Sequence, residues 1–308
     1  MAIPDFQSCM RPLLVAIADG APTPTNDAFE RVTEFFNLSD FERNERLPSG
    51  KQTVLRNRLA WSNTYLKKAL LISATDRGVI QITDRGRNTL IECQVRVDVK
   101  YLKRFPEFAE FHQAKPTAGN QSTTSDYSTD ELAASNATPD ELIEKAHKEL
   151  TNALASQLLE TIKRNSPYFF EQLVVDLMIA MGYGGARAES ARATKPTGDD
   201  GIDGIINEDK LGLDTIYLQA KRWENTVHRP EIDKFIGSLT RQGARKGVFI
   251  TTSDFSEGAR VAASGLNISI VLIDGQQLAR YMIEYNIGVN IKQSFHVKDI
   301  DTDYFNEE

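Results

Sequence analysis

The sequence predicts an α/β protein built from two domains. Three observations indicate this. The chain has 308 residues, whereas a domain usually holds about 150. Helical and strand patterns occur in both halves of the chain. Between them, residues 113–138 are rich in Ser, Thr, Ala and Asn, have no aliphatic period, and predict a flexible linker. We therefore divide the chain into residues 1–112, the linker, and residues 139–308.

Residues 1–112 predict helices followed by a hairpin. Apolar spacing predicts helices around residues 10–19, 25–36 and 52–69. Two short strands follow, joined by a turn at Asp76-Arg77-Gly78, and a last helix begins near Asp84. Three helices and a hairpin are typical of a winged helix, whose third helix enters the major groove of DNA. Winged helices also act as dimerisation or protein-docking modules, and that alternative stays open.

The positive charge of the chain is concentrated in one segment. A net charge of −7 and a pI near 5.3 argue at face value against a nucleic-acid partner. Residues 51–104, however, hold 12 basic and 4 acidic side chains. Such a block on a winged helix indicates binding of double-stranded DNA, although a charge run is often only a solvated face. The candidate contacts are Lys51, Arg56, Arg58, Lys67, Lys68, Arg77, Arg85 and Arg87.

Residues 139–308 predict a mixed sheet flanked by helices. Helices are expected at 139–164, from Ser166 to Gly182, at 256–265 and at 275–288. Strands are expected at 202–206, 215–222, 247–252 and 268–274. Thr251, Thr252 and Ser253 fall at the end of the third strand, where their hydroxyls either bind phosphate or form a turn.

An acid and a lysine lie on the first two of these strands. Asp203 is flanked by glycines, and Gln219 and Lys221 share one face of the next strand. These residue types suit metal-assisted phosphodiester hydrolysis. Asp203, Gln219 and the backbone carbonyl of Ala220 supply oxygen ligands for Mg²⁺, and Lys221 orients or deprotonates the attacking water. Asp199 and Asp200 are close enough in sequence to compete for the ligand role of Asp203.

Further charged side chains surround this motif in the sequence. Glu171 falls at the edge of the apolar arc of its helix; a carboxylate there needs either an ion pair with a core-facing Lys or Arg, or a role in a site. Arg222 and Arg229 follow the strand that carries Lys221 and are candidate phosphate contacts. Trp223, between them, is expected in the core rather than stacked on a base.

The motifs together resemble a known nuclease family. Phe170-Glu171, Gly201-Ile202-Asp203-Gly204 and Gln219-Ala220-Lys221 are similar to the PD-(D/E)xK nuclease superfamily, and more narrowly to the Mrr restriction endonuclease family. The likeness extends to GYGG (182–185), QAKRW (219–223), RPEI (229–232) and KGVFITTSDFS (246–256), and to LAWSNTYLKKALLI (59–72) and RGVIQITDRGR (77–87) in the first domain.

The resemblance implies a restriction-endonuclease-like second domain and assigns roles to residues. Asp203, Gln219 and Lys221 would be catalytic, and Glu171 would reach the metal through water. Gln219 stands where the wider superfamily usually has a carboxylate, which removes one negative charge and is expected to weaken Mg²⁺ affinity. The same residue would also fit a relative that only binds DNA.

The expected activity is endonucleolytic cleavage of modified, methylated DNA in restriction of foreign DNA, as the resemblance implies. Cutting both strands needs two active sites, so a homodimer or larger assembly is expected. The chain has no GxxxxGK[ST] run, and we expect no ATP requirement. Two alternatives stay open: a non-catalytic DNA-binding regulator with a degenerate nuclease fold, and a repair or junction-resolving nuclease.

The N-terminus, the length of the apolar runs and the cysteine content lead us to expect a cytoplasmic protein. No apolar run approaches the ~18 residues of a membrane helix, and the N-terminus carries an acid where a secretory signal has basic residues. Cys9 and Cys93 are too few and too far apart for a disulfide framework, and we expect two reduced thiols.

Overall fold

A computed structural model describes residues 2–113, 136–184, 191–193, 201–209, 213–264, 268–301 and 304. The chain divides into two compact units, Met1–Lys148 and Glu149–Glu308. The boundary falls within a helix, Pro139–Arg164, and not at its first residue, where the sequence predicts the second domain to begin. Most of the predicted linker, residues 114–135, lies outside the described residues.

The first unit has the helix and hairpin order of a winged helix. Its elements are α1 (Phe6–Ala16), β1 (Thr23–Pro24), α2 (Thr25–Phe35), α3 (Asp40–Asn44), α4 (Val54–Lys68), β2 (Ile72–Asp76), β3 (Val79–Ile82), α5 (Asp84–Glu92), α6 (Val99–Leu102) and α7 (Pro106–Gln113). The strands form an antiparallel sheet in the order β1-β3-β2. The first helix starts earlier than its apolar spacing predicts, because the Asp5 carboxylate caps it by accepting from the N–H of Ser8 at 3.0 Å.

Helix α4, the predicted recognition helix, is held by the core. Leu55, Leu59 and Leu66 are buried on its inner side, as their helical spacing predicts. The Thr53 side chain caps the helix at the N–H of Arg56. Arg56 and Lys68 are exposed.

The second unit contains the nuclease-like sheet. Its elements are α8 (Pro139–Arg164, shared with the first unit), α9 (Pro167–Ala180), β4 (Ala191–Ala193), β5 (Gly204–Asn207), β6 (Thr215–Lys221), α10 (Arg229–Arg241), β7 (Lys246–Thr251), α11 (Glu257–Ala263), β8 (Ser269–Ile273) and α12 (Gly275–Glu284). Within the described residues the strand order is β4-β5-β6-β7-β8. Strands β4 to β6 pair antiparallel, whereas β6, β7 and β8 pair parallel. The mixed sheet flanked by helices that the sequence predicts is confirmed.

Side chains from the two faces of this sheet enter separate cores. Leu218 and Ile250 pack with Phe170 of α9 on one face, and Phe249 packs with Phe235 of α10 on the other. Burial on both faces explains the nearly continuous apolar run of β7. Among the described residues, no helix has the length and apolar character needed to cross a membrane.

Candidate active site

Two neighbouring strands bring an acid and a lysine together. Asp203 lies one residue before β5, and its N–H donates to the carbonyl oxygen of Leu218 on β6 at 2.9 Å. Its Oδ2 atom accepts a hydrogen bond from the N–H of Ala220 at 2.8 Å and lies 3.9 Å from Nζ of Lys221. The side chains of Lys221 and Asp203 are 26% and 18% exposed. Both charged groups are therefore fixed by backbone pairing at a spot that solvent still reaches.

Gln219 lies beside them on β6 and is buried, with 6% of its surface exposed. Gly201 has φ +84°, and a Cβ atom added there would lie 3.0 Å from Nε2 of Gln219. A side chain at residue 201 would therefore be strained by its backbone and would press on the amide. Gly201 thus leaves room for the Gln219 amide. The sequence motif alone does not reveal this role of the glycine.

Glu171 on α9 is electrostatically coupled to the same pair. Burial raises the pKa of its carboxyl above the ordinary value, the charge of Asp203 raises it further, and the charge of Lys221 lowers it. No ion pair of Glu171 is present within the described part of the chain, so the structure does not contain the core ion pair that was the alternative for this residue. The charges that act on the Glu171 carboxyl are those of Asp203 and Lys221.

The donor set in this region is made of oxygens. Among the described residues, no three His, Cys, Asp or Glu side chains come together as a metal-binding group. Asp203 and Glu171 contribute two carboxylates, and the Gln219 amide and the Ala220 carbonyl add neutral oxygens on β6. The repulsion that raises the pKa of Glu171 is the repulsion a cation would relieve. The residues present therefore fit a hard divalent cation with oxygen ligands. Asp199 and Asp200 lie outside the described residues.

Beyond β6 the chain turns along the edge of an open cavity of about 530 Å³. Arg222 donates through Nη1 to the carbonyl oxygen of Lys163, while its Nε atom is buried without a partner in the described structure. Trp223 lines the cavity and is 37% exposed. Its expected place in the core is wrong, because the strand ends at Lys221 and the indole lies past the sheet.

The hydroxyls at the end of β7 hold the backbone that follows β6. Thr251 Oγ1 donates to the carbonyl oxygen of Lys221 at 2.9 Å, and Thr252 Oγ1 donates to that of Trp223 at 2.7 Å. Of the two roles open for these hydroxyls, the structure therefore shows a structural one. Thr251 and Thr252 fix the main chain around the lysine, a role that strand-end position alone did not assign. Arg229 pairs with Asp233 at 3.4 Å on α10 and remains 64% exposed.

The basic side chains of the first unit differ in their exposure and in the contacts that they make. Lys51 is exposed, and Arg56 is exposed while donating to Asn26 Oδ1 at 2.9 Å. Lys68 lies 5.0 Å from the centre of the Phe111 ring. Arg77 is exposed in the hairpin turn. Burial lowers the pKa of Lys67, and Arg87 pairs with Asp84 at 2.8 Å.

Two of the predicted DNA contacts are instead used inside the first unit. Arg58 is 19% exposed; it pairs with Glu141 at 2.7 Å and donates to the carbonyl oxygens of Ile3 and Pro4. Arg85 makes two hydrogen bonds to the Glu107 carboxylate, at 2.9 and 3.1 Å. A guanidinium whose donors already face carboxylate or carbonyl oxygens has to break those bonds to reach phosphate. We therefore leave Arg58 and Arg85 out of the DNA surface.

Comparison with known proteins finds a family model that matches residues of each unit. Residues 162–282 match a family model described as restriction endonuclease, and residues 6–92 match one described as the Mrr N-terminal domain. The chain is 36% identical over 311 residues to the type IV methyl-directed restriction enzyme EcoKMrr of Escherichia coli (strain K12), with 99% of this chain and 100% of that protein covered.

Two solved structures are also similar. The DNA modification-dependent restriction endonuclease AspBHI matches 70% of this chain and 56% of its own, at 17% identity and a TM-score of 0.37. The restriction endonuclease MspJI, solved in complex with a 27-mer oligonucleotide, matches 68% and 49%, at 18% identity and a TM-score of 0.34. The chain thus spans about half the length of these two structures.

Proposed function

Since this chain belongs to the Mrr family of restriction endonucleases, we propose that it cleaves phosphodiester bonds of double-stranded DNA that carries methylated bases, as a restriction enzyme acting on foreign DNA. The observation that carries the chemistry is the fixed pair of Asp203 and Lys221, 3.9 Å apart at the ends of adjacent strands. The preference for methylated DNA is supported by the name of the Escherichia coli relative.

The proposed metal ligands are Asp203, Gln219 and the carbonyl oxygen of Ala220, with Glu171 reaching the ion through water. When bound, Mg²⁺ would offset charge on the phosphate and lower the pKa of a ligated water. Asp203 is already oriented for such a role because the N–H of Ala220 holds its Oδ2 atom.

Lys221 would position the nucleophile and stabilise the negative charge that develops on the oxygens around phosphorus. A water oxygen forms the new bond to phosphorus and loses a proton, the bond from phosphorus to a deoxyribose oxygen breaks, and that oxygen leaves with a proton taken up in exchange. Because the ammonium group of Lys221 lies 3.9 Å from the carboxylate of Asp203, it would contact the same phosphate as a metal ion held by Asp203. Thr251 supports this arrangement through the carbonyl oxygen of the lysine.

DNA binding is assigned to both units. In the first unit, the exposed cations Lys51, Arg56, Lys68 and Arg77 are the proposed phosphate contacts, with Lys67 and Arg87 at the margin of this surface. In the second unit, the proposed contact is Arg229, which is exposed at the start of α10, and the cavity lined by Trp223 follows the end of β6. Because each chain supplies one Asp203–Lys221 site, cleavage of both strands is proposed to need a homodimer or larger assembly.

The test is plasmid cleavage with methylated and unmethylated substrates, in Mg²⁺ and in EDTA. We expect cleavage only of methylated plasmid with Mg²⁺, and a loss of about 10²- to 10³-fold in Lys221→Ala, the scale of removing one group that stabilises transition-state charge. Lys246→Ala is the matched control, because Lys246 begins β7 at the opposite end of the sheet and pairs with Glu208 and Asp214. Equal cleavage by wild type and Lys221→Ala would refute the proposal.

The buried amide of Gln219 is the observation that favours a second candidate, a DNA-binding regulator without catalysis. That protein would shift methylated DNA equally with and without Mg²⁺ and would never nick it. Branched and single-stranded substrates in the same panel distinguish the third possibility, a repair or junction-resolving nuclease, because a preference for branched DNA would replace the preference for methylation.

A further inference from the structure

The chain that follows α12 has the pattern of a β-strand without being one. From Ile287 to Val297, odd positions are apolar and even positions are polar or glycine, with Gln293 as the exception. Such alternation is typical of a strand with one apolar face. In the structure, however, residues 289–301 form neither helix nor strand.

The apolar face of this segment is left in solvent. Ile287 and Val289 pack against the core of the second unit, but Ile291, Phe295 and Val297 are 74%, 80% and 75% exposed. Within the described part of the chain, no N–H of residues 288–299 donates to a backbone carbonyl. A row of large apolar side chains on an unpaired backbone marks an interaction site.

The sheet of the same unit has an unpaired edge. Strand β8 pairs with β7 on one side, and no described strand pairs with its other side. Val271, in the middle of β8, is 51% exposed. Edge strands with free N–H and C=O groups accept an added strand readily, and proteins normally protect them with charge or cover them. Strand β8, with the sequence SIVLI, has no charged residue.

We propose that residues 289–298 of one copy add as a strand to the β8 edge of a second copy, and that the exchange is reciprocal. Each chain carries both the unpaired strand and the unpaired edge. In a two-fold symmetric pair, both strands and both edges would therefore be paired at once. The apolar face of the added strand would cover Val271, while Lys292, His296 and Lys298 would face water.

The size of the exchange is adequate for a specific dimer. Burying Ile291, Phe295 and Val297 removes about 100 Å² from each side chain and a similar area from the surface it covers. Two copies therefore bury on the order of 1,200 Å² before the backbone is counted, which reaches the range of specific interfaces. The proposal concerns one interface and is tested by association, whereas the cleavage chemistry proposed for Asp203 and Lys221 is tested by plasmid cleavage. A dimer that forms without this interface would overturn the proposal and leave the proposed nuclease activity untouched.

The first experiment measures the dimer dissociation constant of the full chain by analytical ultracentrifugation. Phe295→Asp and Val297→Asp are each expected to raise it at least about 30-fold, because a charge replaces a buried side chain. His296→Asp is the matched control: it adds the same charge to the water-facing side and should change the constant less than about threefold. Equal effects at residues 295 and 296 would overturn the proposal.

The second experiment tests reciprocity. Val271→Lys blocks the edge and leaves the strand intact, whereas Phe295→Asp blocks the strand and leaves the edge intact. Each variant alone should sediment as a monomer, and an equimolar mixture should regain association, because one strand and one edge still match. A mixture that associates no better than either variant would contradict the exchange. So would a monomeric wild type, which would mean that the strand adds to its own sheet or remains unpaired.

Discussion

At the residue scale, the surroundings of Glu171 change the pH at which its carboxyl is ionised. Burial and the neighbouring charge of Asp203 raise the pKa of Glu171, against a smaller opposite effect of Lys221. The carboxyl is therefore neutral at pH values where an ordinary glutamate, with a pKa near 4.3, is still ionised. A neutral carboxyl holds a metal-bound water less well than a carboxylate.

We accordingly predict that the Mg²⁺ concentration for half-maximal cleavage rises as the pH falls through the raised pKa of Glu171. Glu171→Gln should need more Mg²⁺ than wild type above that pKa, where wild type carries the carboxylate, and a similar amount below it. The variant should lose this part of the pH dependence, because its side chain does not titrate. The measurement is a Mg²⁺ titration of plasmid cleavage between pH 5 and 8. Asp176→Asn, an exposed change on the same helix, serves as control, and a wild-type curve in Glu171→Gln would contradict the role.

The two cysteine thiols differ in how far they are buried. Cys9 is fully buried, and burial, with a smaller effect of the Asp5 charge, raises the pKa of its thiol to about 12. Cys93 is half-buried. A thiol that is neither ionised nor accessible does not react as a nucleophile. Iodoacetamide on the native protein should therefore label Cys93 alone, as read by peptide mass spectrometry, with both sites labelled in denaturant. Early labelling of Cys9 would show that α1 opens locally.

At the scale of elements, the first turn of α8 is bonded to α4. Asp140 accepts from Asn57 at 2.6 Å and from the Trp61 indole at 2.9 Å. Thr138 donates to Asn57 at 2.6 Å, and Glu141 pairs with Arg58 at 2.7 Å. These bonds cover one side of the predicted recognition helix with the start of α8 and with Thr138, which the sequence places in the linker and which is buried in the structure. They explain why the first unit extends to Lys148.

Arg56 and Arg58, two residues apart on α4, should consequently behave differently. Arg58→Ala is expected to lower the free energy of unfolding of the first unit by about 2 kcal/mol, since it strands a partly buried Glu141. Arg56→Ala should leave unfolding within about 0.5 kcal/mol of wild type and weaken DNA binding, because that side chain is exposed. Urea unfolding and fluorescence anisotropy measure the two effects. The reverse assignment of effects would show that Arg58 leaves Glu141 to bind phosphate.

These differences mark what local sequence can predict. The periods of β6 and α4 predict which residues face inward, because burial and spacing are local properties. The pairing of Asp203 with Lys221 follows from two strands separated by a short turn. The partner of Arg58, by contrast, is 83 residues away, and no periodicity encodes such a contact. Trp223 was misplaced because the residue at which a strand ends is set by its neighbours in the sheet.

At the scale of the whole molecule, charge is divided unevenly along the chain. The net charge is −7, yet residues 51–104 are strongly basic and several of their cations are exposed. Phosphate contacts release counterions, so each one adds about 0.9 to the slope of log affinity against log salt. The salt slope therefore counts the phosphate contacts irrespective of the net charge. A change of the slope in a variant shows whether the replaced residues supply some of them.

We predict that replacing Lys51, Arg56 and Lys68 together by Gln in the full chain lowers this slope by about 2.7. The matched triple variant of Arg164, Arg245 and Arg280, exposed cations of the second unit, should change it by less than about one, because none of them belongs to the proposed DNA surface. Anisotropy titrations of a labelled duplex between 50 and 200 mM salt, without divalent metal, give both slopes. Equal reductions by the two variants would mean that DNA is held by charge spread over both units, and that the basic block on the winged helix is only a solvated face.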